Sequence, residues 1–257
     1  MRSVVLVAGA SSSLGGVLCR ELAKSGHKVY AGYCTHPVHV EADVAIVPIK
    51  LDVTSDMSCE QAILTIFKEH GKIDALVNLV AVSPAGAGMD FEVKDFEKIL
   101  DTNVVGAFRL IKLVLPHLPP SGKVINVGSL SGLISFPRFS LYSASKFALR
   151  AMSLSLYHEL LSSGRYVVCI SPGALAKDPP TSPPEGSARG RIPFLNWLLP
   201  LTSPQRVSRV IIDCLADARP PAEILVGRDT KLLVLVHRLI PGSCWHFIQK
   251  YVWKRQQ

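Results

Sequence analysis

The chain has 257 residues, 48% of them hydrophobic, and a formal net charge of +8. That is enough apolar material for one sizeable core in a single α/β domain. Its Lys and Arg residues are not gathered into runs interleaved with aromatics, which argues against a nucleic-acid surface, and no stretch of about 20 uninterrupted apolar residues exists to span a membrane.

Residues 4–7 (VVLV) read as a first strand. They are too few for the apolar region of roughly 7–15 residues in a secretory signal, and they run straight into a loop and an amphipathic segment. Residues 14–24 carry a helical period, with Leu18, Leu22 and Ala23 on one face. Residues 28–32 and 44–50 are a second and a third strand, 57–70 a helix, and 75–78 a fourth strand. Residues 91–118 carry one long helical pattern that ends at Pro119-Pro120. Residues 123–127 read as a fifth strand, 141–161 as a helix, 166–170 as a sixth strand and 224–227 as a last one. This alternation predicts parallel strands with crossover helices on both faces. Strands that are apolar almost throughout fit a sheet buried on both sides. The expected fold is therefore α/β, three-layered and doubly wound around a mostly seven-stranded parallel sheet.

Two regions break the rhythm. Residues 172–204 hold eight Pro and three Gly around an apolar island at 192–201. A long irregular insertion after a strand end suits a substrate lid over residues 174–204, lying where such sheets bind ligands. The other region is the tail from 228 to 257, which carries a net charge of +5 together with Trp245, Tyr251 and Trp253. Basic residues mixed with Trp and Tyr are what an interfacial helix uses; the other reading is a tail packed on its own domain or on a partner subunit. Residues 1–227 then read as one domain, with 228–257 as its tail. The six Cys show neither a CxxC pair nor zinc-ligand spacing, so they read as buried or incidental thiols and no metal is expected.

The loop after the first strand reads AGASSSLG, residues 8–15. Gly9 allows a tight turn at the strand end, and Gly15 lets helix and strand approach closely. Amides at a helix start point toward an anion, and the helix dipole favours negative charge there. Ser13 stands where such a loop often has Gly. If that position requires positive φ, Ser costs around 1 kcal/mol or more; in a helical or extended conformation it costs little, and its hydroxyl can face a phosphate.

Downstream, Tyr142 and Lys146 form YxxxK. On a helix the two share a face. A nearby ammonium favours the phenolate and lowers a tyrosine pKa that starts near 10, which suits proton exchange with a substrate oxygen. Ser129 lies thirteen residues earlier, just past a strand end, where its hydroxyl can orient a carbonyl.

These motifs, in this order, resemble the short-chain dehydrogenase/reductase family over residues 3–227. Residues 8–15 resemble its glycine motif, with Gly9, Ser11, Ser12, Ser13, Leu14 and Gly15 at the cofactor. Asp52 and Val53 resemble the segment beside the adenine, Asn78 begins the motif after the fourth strand, and Pro172-Gly173 resembles the turn beside the nicotinamide. Asn103, Ser129, Tyr142 and Lys146 match the catalytic tetrad. The segments GLISFP and YSASKFAL look most like the hydroxysteroid and retinol dehydrogenase branch. The resemblance implies a Rossmann fold and hydride transfer between a nicotinamide and a hydrophobic alcohol or carbonyl compound. Tyr142 would give or take the proton, Lys146 would lower its pKa and hold the ribose, Ser129 would position the substrate oxygen, and Asn103 would hold a water linked to Lys146. The family also implies a homodimer or homotetramer built on the helices at 91–118 and 141–161.

The departures fall on the cofactor side: Ser13, the run Asn78-Leu79-Val80-Ala81, and Lys177 near a position that is often Thr. The second strand is followed by no acid before Glu41 and by no Arg, Cys34 standing about where one is expected. An acid would bind the ribose 2′-hydroxyl of NAD. Its absence favours NADP over NAD, with Ser12, Tyr33, Thr35 or His36 available to the 2′-phosphate. The rival reading is a cofactor-binding but non-redox protein on the same fold: a membrane-docking regulator, or an isomerase or dehydratase. A cytoplasmic protein, at most peripheral at a membrane surface, is expected.

Overall fold

The computed structural model describes residues 3–37, 45–176 and 201–242. Seven strands form one wholly parallel sheet: β1 (Val4–Ala8), β2 (Lys28–Tyr33), β3 (Ile46–Lys50), β4 (Ala75–Asn78), β5 (Lys123–Val127), β6 (Tyr166–Pro172) and β7 (Glu223–Val226), in the order β3-β2-β1-β4-β5-β6-β7. The order reverses between β1 and β4, whose ends meet at the Ala8–Asn78 pair. That switch point opens a crevice at the carboxyl edge, where doubly wound sheets bind ligands.

The apolar strands are explained by two separate cores. Val5, Val7, Val77 and Ile125 face α1 (Ser13–Lys24) and α6 (Pro204–Ala216), meeting Leu18, Leu22 and Ile211. Their neighbours Val4, Leu6, Leu76 and Val124 point the other way, toward Ile63 and Ile66 of α2 (Asp56–His70) and Leu110 and Val114 of α4 (Gly106–Val114). Met152 and Leu156 of α5 (Ser140–Leu160) complete that second layer. Each large side chain so buried contributes roughly 1.5–3 kcal/mol, so both faces of every central strand must be apolar.

Helix ends follow from local chemistry. Ser55 caps α2 by accepting from the Ser58 amide, and Gly71 closes it in the left-handed conformation at φ 67°. Ser203 caps α6 by accepting from the Arg206 amide, with Pro204 at the first helical position. The expected elements leave 205–223 unassigned, although Val207, Val210, Ile211 and Cys214 keep a helical spacing there, and Val207, Ile211 and Cys214 are buried in the first core.

The single helical pattern at 91–118 is resolved into pieces. α3 (Val93–Leu100) passes into a π-helical turn, Asp101–Val105, before α4, and a 3₁₀ turn, Leu115–His117, ends the segment. One extra residue in that turn leaves hydrophobic periodicity nearly unchanged while rotating Asn103 into the protein, where it is fully buried.

The basic tail begins with α7 (Arg228–Leu239), directly after β7. Its Val234 packs on Leu130 and Ile134, so one face of this helix lies on the domain, while Leu232, Leu235 and Leu239 are exposed. The middle of the expected lid, including Phe194 and Trp197, lies outside the described residues, as do Lys177, Glu41 and the tail beyond 242. The flanks of the excursion, however, are joined by a parallel bridge between Leu175 and Thr202. Among the described residues, four of five free cysteines are buried and Cys34 is exposed; no group of side chains is arranged to hold a metal, and no helix is long and apolar enough to cross a membrane.

Candidate active site

The loop between β1 and α1 is shaped by its glycines. Gly9 sits at φ 81°, and a Cβ there would come within 3.1 Å of the Val80 amide nitrogen. A Cβ on Gly15 would lie 2.5 Å from the Gly9 carbonyl oxygen and 2.6 Å from Ala10 Cα, so the helix start rests directly on the loop. Ser12 locks the turn by donating to the Gly9 carbonyl (2.8 Å) and accepting from the Gly15 amide (3.0 Å). Ser13 is the first residue of α1, and the described non-glycine residues with left-handed backbone are Ser121 and Arg138. Ser13 is therefore unstrained, and its exposed side chain stands beside those of Ser11 and Ser12, while Leu14 turns into the core. Ser11 donates to the His36 carbonyl (2.6 Å), tying the loop to the exit of β2.

That exit carries a cation that no residue of β2 supplies. Lys50, at the end of the adjacent β3, donates to the Cys34 carbonyl and lies 5.7 Å from the centre of the Tyr33 ring. Asp52 follows it, accepting from the Thr54 amide (2.9 Å) and hydroxyl (2.7 Å). The two Thr54 bonds hold its carboxyl below the usual range, with smaller help from the Cys34 side chain and the Lys50 charge. Val53 is buried beneath α4, with Gly106 against it.

After β4, Asn78 is buried and accepts from the Val80 amide (3.2 Å), while its own amide reaches Asn126 (3.4 Å). Leu79 and Val80 pack into opposite cores, which accounts for two of the three departures in this run. Ala81 is exposed.

Ser129 follows β5 and caps the 3₁₀ turn Leu130–Gly132 by accepting from the Ser131 amide (3.1 Å). Its side chain is also hydrogen-bonded to Tyr142. Lys146, one turn along α5, is 2% exposed and donates to the Val127 carbonyl (2.9 Å), with its nitrogen 5.8 Å from the centre of the Tyr142 ring. Burial pushes its ammonium down from 10.5 to about 8. The expected lowering of the Tyr142 pKa is not found. Burial raises it, and the bond to Ser129 pulls the other way without cancelling the rise. The lysine is directed at a backbone carbonyl rather than at the phenol oxygen, and desolvation wins.

Asn103 is tied to two neighbours. Its amide oxygen accepts from the Val82 amide (2.8 Å), and its nitrogen donates to the Val82 carbonyl (2.9 Å) and to Ser145 Oγ (2.9 Å). Both hydrogens of that nitrogen are used, while its amide oxygen keeps a second lone pair. Ser145 in turn donates to the Tyr142 carbonyl (2.7 Å). Asn103 thus splices the loop after β4 to the helix turn between Tyr142 and Lys146.

Pro172 ends β6, and the Gly173 amide donates to the Val226 carbonyl (3.2 Å). A Cβ on Gly173 would collide with the carboxylate of Asp229, and one on Gly227, which sits at φ 106°, would collide with Asp229 and Thr202. Asp229 is wholly buried at the start of α7. It joins the Pro172-Gly173 turn, the root of the excursion at Thr202 and α7 at one point.

The structure therefore places the glycine loop and Asn78 at the β1/β4 switch point, the tetrad residues around β5 and α5, and Pro172-Gly173 at the end of β6, all on one edge of the sheet. Lys50, Ser145 and Asp229 belong to this edge although no motif marks them. Lys50 is the one with a signal in sequence, a lone base beside LDV. The exposed serines over the start of α1, and a loop that a Cβ at Gly9 or Gly15 would fill, fit the diphosphate of a dinucleotide.

Residues 3–182 match the family model for short chain dehydrogenases. The chain belongs to the short-chain dehydrogenase/reductase family, and so to a family of oxidoreductases that use a nicotinamide cofactor. It is 27% identical over 249 residues to Oxidoreductase BOA17 of Botryotinia fuckeliana, covering 89% of this chain and 90% of that one. It is 32% identical to 3-ketodihydrosphingosine reductase of Bacteroides thetaiotaomicron (66% of this chain, 63% of that one) and 35% identical to human Dehydrogenase/reductase SDR family member 7 (66% and 54%). Among solved structures, a short-chain dehydrogenase from Streptomyces avermitilis superposes with a TM-score of 0.80 at 24% identity, covering 98% of this chain and 96% of the other. One from Burkholderia cenocepacia in complex with NADP gives 0.77 at 21% identity, covering 89% and 98%.

Proposed function

We propose that this protein is an NADP(H)-dependent oxidoreductase that interconverts a hydrophobic alcohol and its carbonyl compound, with Tyr142 as the proton donor and acceptor. The observation that carries this reading is the Ser129–Tyr142–Lys146 group at the sheet edge, with the lysine buried and the serine and tyrosine half-buried. A bound nicotinamide supplies or accepts the hydride. Ser129 has its acceptor capacity anchored by the Ser131 amide, which fixes its hydroxyl beside Tyr142 and lets it orient a substrate oxygen. Because burial raises the Tyr142 pKa, the phenol is protonated at neutral pH, which suits donation to a carbonyl that is being reduced. Lys146, with one hydrogen on Val127, keeps two for the ribose.

Lys50 supports NADP. Its ammonium stands at the exit of β2, where an acid would favour NAD, and the residues there are Tyr33, Cys34, Thr35 and His36. A hydrophobic substrate is supported by the cluster of Leu130, Ile134 and Val234 with Leu133, Phe136 and Leu233, which begins one residue after Ser129. The keto-sphingoid named in the Bacteroides relative is a substrate of that kind. Exposed Val105, Phe108 and Phe147 on the central helices suit a homodimer or homotetramer.

The test is NADPH oxidation with a panel of long-chain and cyclic ketones. Turnover should appear, and Tyr142→Phe should lower it by about 10²–10⁴ while NADPH fluorescence titrations match the parent. A chain that binds NADPH but reduces nothing, or a Phe variant as active as the parent, would sink the reading.

A further inference from the structure

We infer that the outer face of α7 is a docking surface for an anionic lipid bilayer. Six residues of this helix are exposed: Arg228, Lys231, Leu232, Leu235, Arg238 and Leu239. Their spacing puts them on one stripe: three leucines, with Lys231 and Arg238 along one edge and Arg228 at the start of the helix. The leucines become more exposed toward the helix end, from 40% at Leu232 through 53% at Leu235 to 73% at Leu239. The helix has one acid, Asp229, and it is buried on the opposite side, so the stripe displays cations alone.

Charge selects the occupant. A second copy of this chain packed isologously would set one cationic stripe against another, which disfavours that pairing. An anionic headgroup layer over an acyl boundary complements both components at once, the leucines below and the bases at headgroup level. The chain beyond residue 242 continues in the same chemistry: Lys250, Lys254 and Arg255 with Trp245 and Trp253, and no acid.

The inner face of the same helix gives the surface a functional position. Val234 packs on Leu130 and Ile134, in the segment that begins at Ser129. A bilayer under α7 therefore lies behind the apolar wall of the site.

The full-length protein should float with phosphatidylcholine vesicles that contain phosphatidylserine and stay behind with phosphatidylcholine alone, and added salt should release it. A basic residue at an anionic surface is worth about fivefold in partition, or ~1 kcal/mol, so Arg228→Ala/Lys231→Ala/Arg238→Ala should lower flotation by about a hundredfold. Leu235→Glu/Leu239→Glu should lower it at least as far. Both variants should bind NADPH like the parent, which shows that they are folded. Tyr142→Phe should float like the parent, because docking does not depend on the redox reading. A parent chain that ignores anionic vesicles overturns the inference, as do surface variants that float undiminished. A dimer that Leu235→Glu dissociates overturns it too, by giving the face to a second copy.

Discussion

Around residues 9–15 most of what the site presents is backbone; around Tyr142 most of it is side chain. The loop works through amides at the start of α1 and through the close contact of Gly15 with Gly9 and Ala10. Ser13 can replace a glycine there because its position is helical and exposed, and Leu79 and Val80 can replace other residues because they pack into the cores. At Lys146, Asn103 and Ser145 the side-chain polar atoms have named partners in a buried setting, half-buried Tyr142 is bonded to Ser129, and a replacement at any of them removes a specific bond. A site of this kind tolerates change where shape does the binding and resists it where chemistry does.

Four measurements sharpen that contrast, beginning with the largest effect. Lys146→Met should remove a pH dependence of stability that the cofactor-free parent has, because burial pushes this ammonium down to about 8. Between about pH 8 and 10.5 the unfolded chain keeps a proton at this lysine that the folded chain has lost. Parent stability therefore gains on the variant as pH rises through that window, by on the order of 3 kcal/mol in denaturant titrations. Second, Gly15→Ala should cost about 1–3 kcal/mol, seen as a lower melting temperature and weaker NADPH binding, since its methyl meets backbone on two sides. Third, Lys50→Ala should weaken NADPH binding about fivefold to tenfold with NADH binding unchanged, as expected for an exposed charge-assisted contact to phosphate. Last, Ser13→Gly should alter stability and NADPH affinity by less than about 0.5 kcal/mol. A large effect of Ser13→Gly, beside a small one of Gly15→Ala, would invert the comparison.

The fold was largely legible because its strands are short apolar runs with two buried faces, and because Gly9, Ser129, Tyr142 and Lys146 sit at fixed places relative to strand ends. What the sequence withheld has physical reasons. α6 did carry a signal, a Ser203-Pro204 start and apolar residues at 207, 210, 211 and 214, but it directly follows a proline-rich excursion that hides where an element begins. Asn103 was recognised but its partners were not, since Val82 and Ser145 are set by tertiary contact. The Tyr142 shift runs opposite to the expectation because spacing along a helix reports that two side chains share a face, not where the ammonium of Lys146 points. Lys50 acts on a strand that is not its own, through a pairing of β2 with β3 that no local pattern encodes.

The π turn at Asp101–Val105 has a consequence for how this helix pair can change. Each residue of an α-helix advances the side-chain direction by about 100°, so one extra residue in a regular helix would turn one wheel against the other. The turn absorbs that one residue, so Ile99 before it and Leu110 after it, both buried, keep the relative direction that ten regular helical steps would give. Deleting one residue from 101–105 would restore a regular helix and leave both apolar faces where they are. The extra residue therefore serves the site rather than the packing: it lies in the turn that carries Asn103 to Val82 and Ser145.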